Sequence, residues 1–194
     1  MRLSVASSLC AVWIAACSSS HAPDGGDAAP DARSDARWDE CTVPSECVVV
    51  PASCCGSCGA ATRGDATALN RAHLGAHRSS VCTDGFGCPA CFSEPDPTLL
   101  ATCEANRCIV VDLQTHAATE CTTPADCRVR AVECCECGAS ITPSTVVAIS
   151  SASALEDLVC DPGTGCPECL PDYPSTFGAT CDDGRCVAVF AGAP

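Results

Sequence analysis

The sequence predicts a small disulfide-rich α+β fold, arranged as two tandem homologous modules that each hold a short antiparallel sheet and one helix. Three observations carry this expectation. Cysteine supplies 22 of the 194 residues, a share that marks a disulfide scaffold in an exported chain. Beyond residue 40 the cysteines run through the same spacing twice. Large side chains are scarce, with four Phe, two Trp, one Tyr and one Met, so an ordinary hydrophobic core could not hold the chain by itself.

The repeat comes first because everything else is placed on it. One set of ten is Cys41, Cys47, Cys54, Cys55, Cys58, Cys82, Cys88, Cys91, Cys103 and Cys108. The other is Cys121, Cys127, Cys134, Cys135, Cys137, Cys160, Cys166, Cys169, Cys181 and Cys186. Both read C-x5-C-x6-CC, a short gap, C, a long gap, then C-x5-C-x2-C-x11-C-x4-C. The short gap is two residues in one copy and one in the other, and the long gap is 23 against 22. Flanking residues agree as well: Glu-Cys-Thr at 40–42 and 120–122, Gly-Cys-Pro at 87–89 and 165–167, Ala-Thr-Cys at 101–103 and 179–181. This is the signature of a duplicated unit, with modules at 41–112 and 120–191 and the joint Leu113–Thr119 between them.

Within each module the sequence predicts an early strand at Cys47–Val50 and Cys127–Arg130 and a late strand at Cys108–Val111 and Cys186–Val189, all β-branched or alternating. Asn106 and Gly184, ahead of the late strands, tolerate the positive φ of a tight turn. The long gap predicts the helix. Asp65 is placed to cap Ala66–His77, and Thr142-Pro143 forms an N-cap and first-turn pair for Pro143–Leu158. Ala148, Ala152, Leu155 and Val159 would then share one helical face.

The N-terminal stretch MRLSVASSLCAVWIAACSSS has a basic start and an apolar run too short to span a bilayer. Its close, Ile14-Ala15-Ala16-Cys17, resembles the lipobox of bacterial lipoproteins. That resemblance implies a signal peptide at 1–16, acylation of Cys17 and attachment to the cell envelope through it, with the outer membrane favoured over the inner because Ser18 rather than Asp follows. Parity fits the resemblance: cleavage removes Cys10 and acylation occupies Cys17, leaving an even 20 cysteines for disulfides. Residues 17–40, rich in Ala, Asp, Pro, Gly and Ser, predict an acidic disordered tether. The whole chain thus is similar to bacterial lipoproteins with tandem cysteine-rich modules, a likeness that transfers no activity.

The chemistry of the sulfurs follows from the repeat. Cys55 and Cys58 form a CxxC, but the second copy has Cys135-Glu136-Cys137. A metal knuckle or redox dithiol depends on that spacing, whereas a frame joining each cysteine to a distant partner tolerates a loop changed by one residue. The twenty cysteines from Cys41 to Cys186 are therefore expected to form disulfides, and no metal ligand or cofactor is expected. Adjacent Cys54 and Cys55 should take different distant partners, because sequence neighbours sit too close for ordinary disulfide geometry. Cys88-Pro89-Ala90-Cys91 and Cys166-Pro167-Glu168-Cys169 look superficially like glutaredoxin active sites, but prolines soon after them oppose the helix such a thiol needs. His73 and His77 share i,i+4 spacing, which a solvated helix face explains. The doublet also resembles that of whey-acidic-protein inhibitor domains over a few residues, although the other spacings do not fit.

Function follows only in outline. A formal charge of −14 opposes nucleic-acid binding, which needs basic stripes. No nucleophile–base pair, phosphate loop or HExxH is present. The sequence points to a membrane-tethered, disulfide-stapled envelope lipoprotein with a binding or structural role, no catalysis, and a protein or glycan ligand of unspecified identity. Two alternatives stand beside it: an extracellular protease inhibitor using the Pro-containing loops Glu94–Leu100 or Asp172–Phe177, and a metal-binding or thiol redox protein.

Overall fold

In the computed structural model, residues 37–82, 87–91 and 93–191 are described. All of them belong to one compact unit. The expected signal peptide and Cys17 lie outside the described residues, as does the expected tether up to residue 36.

Two antiparallel pairs make up the first half. β1 (Cys47–Pro51) pairs with β3 (Ala66–Asn70), and β5 (Leu99–Glu104) pairs with β6 (Arg107–Asp112). Between them come a two-residue strand β2 (Gly59–Ala60) that pairs in parallel with β4 (Ser93–Glu94), and the helix α1 (Leu74–Val81). β3 packs on β6 and β1 on β5, so two ribbons face each other across a thin core. The second half repeats the two antiparallel pairs and how they pack, with no counterpart of β2 and β4 among the described residues. β7 (Cys127–Ala131) pairs with β8 (Val146–Ser150), β9 (Phe177–Asp182) with β10 (Arg185–Phe190), and β7 packs on β9 while β8 packs on β10. Its helix α2 is a single turn, Glu156–Val159.

The early and late strands lie where alternation places them. The turns between β5 and β6 and between β9 and β10 need the left-handed region: φ is +50° at Ala105, +61° at Asn106, +46° at Asp183 and +78° at Gly184. Two successive positive φ values fit the two-residue hairpin turn whose twist matches the strands.

The helices are the main correction. Ala66–Asn70 and Val146–Ser150 are strands, not the starts of helices. The predicted helices shrink to a short helix at the C-terminal end of the long gap in each half, and the fold is sheet-dominated. Pairing decides this. The early strand needs an antiparallel partner, and Val146-Val147-Ala148-Ile149 is β-branched, so tertiary pairing overrides the helix propensity of the alanines. The residues chosen as helix caps instead shape turns. Thr62 and Asp65 form a reciprocal capping box ahead of β3, and the Thr142 N–H donates to Thr145 Oγ1 at 2.9 Å ahead of β8.

Ten disulfides hold these ribbons. In the first half the bonds are Cys41–Cys103, Cys47–Cys108, Cys54–Cys82, Cys55–Cys88 and Cys58–Cys91. In the second they are Cys121–Cys181, Cys127–Cys186, Cys134–Cys160, Cys135–Cys166 and Cys137–Cys169. Numbered by order within each set of ten, both halves pair first with ninth, second with tenth, third with sixth, fourth with seventh and fifth with eighth. The first two bonds of each set clamp the early strand and the segment just before it to the late hairpin, and the other three join the doublet loop to the segment after the helix.

Two cores result. Cys41, Cys47, Ala66, Ala68, Leu99, Cys108 and Val110 form a small one inside the first half. The other joins the halves: Leu100 from β5, Leu113 and Ala118 from the joint, Val147 and Ile149 from β8, and Leu155 before α2. Leu113, Ile149 and Leu155 are 0 % exposed, and each such side chain stabilises by about 1.5–3 kcal/mol. Across the same interface the Ser45 N–H and hydroxyl donate to the Asp161 carboxylate at 2.9 and 2.6 Å, which holds that carboxyl below its usual range.

The folded unit also begins before Cys41. Arg37–Glu40, placed in the tether by composition, docks on the first half: the Asn70 N–H donates to Trp38 O at 2.6 Å and the Cys108 N–H to Asp39 O at 2.7 Å.

Candidate functional site

The sulfurs can be assessed first. All twenty cysteines from Cys41 to Cys186 are in disulfides, so none offers a thiolate to a metal ion or substrate. Cys88 and Cys91 bond Cys55 and Cys58, and Cys166 and Cys169 bond Cys135 and Cys137. Neither CPxC motif is a dithiol pair. The doublets bring cystines into contact: the sulfurs of Cys54, Cys55 and Cys88 lie within 4.8 Å of one another, as do those of Cys134, Cys160 and Cys166. Two of the histidines, His77 and His116, have structural partners. His77 Nε2 is 3.0 Å from Pro51 O and its ring meets Trp38 edge-on at 6.1 Å, and His116 Nδ1 accepts from the Ala118 N–H at 3.1 Å.

The two Pro-containing loops are anchored at one or both ends, and Pro174, Ser175 and Thr176 of the second are exposed. Thr98 is bonded to Asp96 through both N–H and hydroxyl, and Leu99 and Leu100 point into the cores. In the other loop Tyr173 is half-buried and Phe177 stacks edge-on against Phe190 at 4.9 Å.

Two features stand out instead, one in the second half and one where the joint meets it. The first is an ionic network around Arg130, which is 0 % exposed. Arg130 Nε donates to Ala131 O at 3.0 Å, and Nη2 donates to Glu133 O at 3.0 Å and Cys134 O at 2.9 Å. Nη1 meets Glu156 Oε1 at 2.7 Å. That contact is ionic rather than a directed hydrogen bond, since Nη1 has no acceptor in line with its N–H bonds among the described residues. Glu136, inside the Cys135–Cys137 gap, accepts from Arg128 Nη1 at 2.9 Å and from the Tyr173 hydroxyl at 2.7 Å, and that hydroxyl accepts from the Ala131 N–H at 2.9 Å. The guanidinium therefore ties the doublet loop to β7 and α2.

Burial, and then the bond to the Glu136 carboxylate, push the Tyr173 phenol up to about 12. It is the protein's single tyrosine, so phenolate absorbance reports it alone. We expect that titration to lie well above the ordinary value of about 10 and to return to it in denaturant. The native state then holds the proton more tightly than the unfolded chain, so stability is fully present below about pH 10 and declines as pH rises toward 12. A midpoint near 10 in the folded protein would remove Tyr173 from the network.

The second feature is an apolar groove of ≈ 510 Å³ where the joint meets β8 and β10. Its walls include Leu113, Val146, Val147, Val187 and Phe190, with Arg185 as the one ionisable lining residue. The volume lies in the range of small-molecule sites, about 300–1,000 Å³. Val187 and Val189 of β10 are 42 % and 45 % exposed, so the same ribbon also presents apolar side chains to water.

Comparison with protein-family models, curated proteins and solved structures finds no match to this chain. Neither Arg130 nor Arg185 was marked by sequence reasoning. In Cys-Arg-Val-Arg the arginines read as the solvent face of an alternating strand. Arg185 could have been found by setting the two copies side by side, because Arg-Cys opens the late strand in both.

Proposed function

We propose that the protein is a lipid-anchored lipoprotein of the bacterial envelope, whose two tandem modules arose by duplication and serve a binding or structural role without catalysis. The observation that carries this reading is the one-to-one correspondence of the two disulfide frames. The same five pairings hold two sequences that otherwise differ, which supports a shared ancestral module. A frame with every sulfur used supports a durable scaffold for an oxidising compartment rather than thiol chemistry. The apolar groove at the joint supports binding. Among the described residues no helix is long and apolar enough to cross a membrane, and the anchor in this reading is the acyl group on Cys17.

The anchor is tested directly. Cys17→Ser should abolish metabolic labelling with palmitate and move the chain from the membrane fraction to the soluble one. Two or more acyl chains hold firmly where one holds marginally, so the shift should be near complete. Labelling that survives the substitution would overturn the anchor. Denatured, unreduced protein should show no reactive thiol between residues 41 and 186 and no bound zinc, whereas a stoichiometric zinc ion would favour the metal-binding alternative.

A further inference from the structure

The two halves are the same at Arg107 and Arg185, each the residue before the cysteine of its late strand, but differ in what those arginines meet. In the first half Arg107 is closed off. Its Nε donates to Asp39 Oδ2 at 2.6 Å, and its Nη2 donates to the same oxygen. Asp39 stands two residues before Cys41. The residue two before Cys121 is Thr119, whose hydroxyl turns inward to Leu113 O at 2.7 Å. Arg185 thus lacks the carboxylate its counterpart has. Its Nη1 donates to His116 O at 2.7 Å and lies 3.4 Å from Thr119 Oγ1 and 3.9 Å from the exposed Glu120 carboxylate. Among the described residues Nε and Nη2 donate to no acceptor.

The surroundings differ in the same sense. In the first half the counterpart of the groove is lined by Arg107, Thr67 and Leu69, together with Trp38 and Asp39 of the segment that precedes Cys41. That segment delivers an indole and a carboxylate side by side. The equivalent segment of the second half carries Ala118 and Thr119, and there the apolar groove opens beside Arg185. A guanidinium edge that binds a carboxylate in one half is left free in the other, next to apolar walls.

We propose that the groove binds a small carboxylate with an apolar, aromatic body. Its carboxylate takes the place at Arg185 Nε and Nη2 that Asp39 takes at Arg107, and its ring lies against Val147, Val187 and Phe190. No carboxylate is among the residues that line the groove, and the exposed Glu120, 3.9 Å from Nη1, is the one that faces the guanidinium among the described residues, although the chain as a whole carries a formal charge of −14. The inference deepens the binding role proposed above and rests on it. It is independent of the acyl anchor, so loss of palmitate labelling and loss of ligand binding are separate failures.

The probe is 3-(indol-3-yl)propionate, which joins the two chemical elements of the Trp38-Asp39 pair, with its neutral propionamide as control. The full chain with intact disulfides is titrated by calorimetry and by amide chemical shifts. We expect saturable binding with shifts centred on Leu113, Val187 and Phe190, and affinity for the acid about tenfold or more above that for the amide, as a charge-assisted bond gives. Arg185→Gln should bring the acid down to the amide's affinity. Thr119→Asp should do the same by supplying the carboxylate internally, provided its melting temperature shows it folded. Should either variant fail to fold, the acid-to-amide ratio and the shift map on the unaltered protein decide alone. Equal affinity for acid and amide, shifts centred elsewhere, or no saturation up to about 10 mM would each overturn the proposal.

Discussion

Replacing Cys47 and Cys108 together by alanine should lower stability by about 3 kcal/mol, read as a fall in the urea midpoint of unfolding. Considered alone, this bond closes a loop with a sequence separation of 61, which in the chain-entropy picture stabilises by about 4 kcal/mol. Its neighbour reduces that figure. With Cys41–Cys103 intact, the path from Cys47 to Cys108 is only about 11 residues, and closing so short a path stabilises by about 3 kcal/mol. Removing both bonds should therefore cost more than twice as much as removing one, about 6 kcal/mol, because the second deletion opens a path of about 29 residues, the shortest that Cys55–Cys88 and Cys58–Cys91 leave. A loss of that size is comparable to the whole stability of many domains, about 5–15 kcal/mol. The first half should then unfold. The solvent-exposed pair Cys58 and Cys91 should cost less, about 2 kcal/mol, since Cys55–Cys88 shortens its path to about six residues and no buried sulfur is lost. If the exposed bond proved the more damaging, chain entropy and burial could not be what the frame contributes.

That frame was legible in part. The spacing of the cysteines and the alternation at Cys47–Val50 and Cys186–Val189 are local signals, and the strands lie where those signals put them. The partners of each cysteine were not legible, because spacing constrains connectivity only through the fold. The long gap misled for a physical reason: Ala66-Thr67-Ala68-Leu69 has helical propensity, and only the early strand's need for an antiparallel partner makes it extended. Trp38 and Asp39 were hidden by composition, since they end a polar, Ala- and Asp-rich stretch and reveal their role only on meeting Asn70 and Arg107. Arg130 was hidden by the alternation rule itself. That rule infers which face is buried from polarity, and here the buried face of β7 carries a charge.

This last point makes Arg130 the side chain with the largest expected single effect. Arg130→Ala should destabilise by about 3–5 kcal/mol, the usual consequence of breaking a buried ionic network from one side and leaving a cavity. The carbonyls of Ala131, Glu133 and Cys134 would lose their donor, and the doublet loop would lose its tie to β7 and α2. Arg130→Met distinguishes charge from volume. The first half has Val50 at the equivalent position, 9 % exposed, so the layout accommodates an apolar side chain there. A buried ion pair replaced by an apolar group of similar size is often close to neutral. Methionine should therefore recover much of the loss, leaving about 1–2 kcal/mol for the three carbonyls left unpaired. Glu156→Gln probes the other end. Glu156 is half-exposed, so its own rehydration is cheap, but the substitution leaves the Arg130 cation buried with only Glu136, 3.8 Å from Nε, as a nearby carboxylate. We expect it to fall between the methionine and alanine variants in urea unfolding. If Arg130→Met were as damaging as Arg130→Ala, the directed bonds to the doublet loop, rather than filled volume, would be what Arg130 supplies. If neither variant moved the urea midpoint, the network around Glu136 and Tyr173 would have to hold the loop without it.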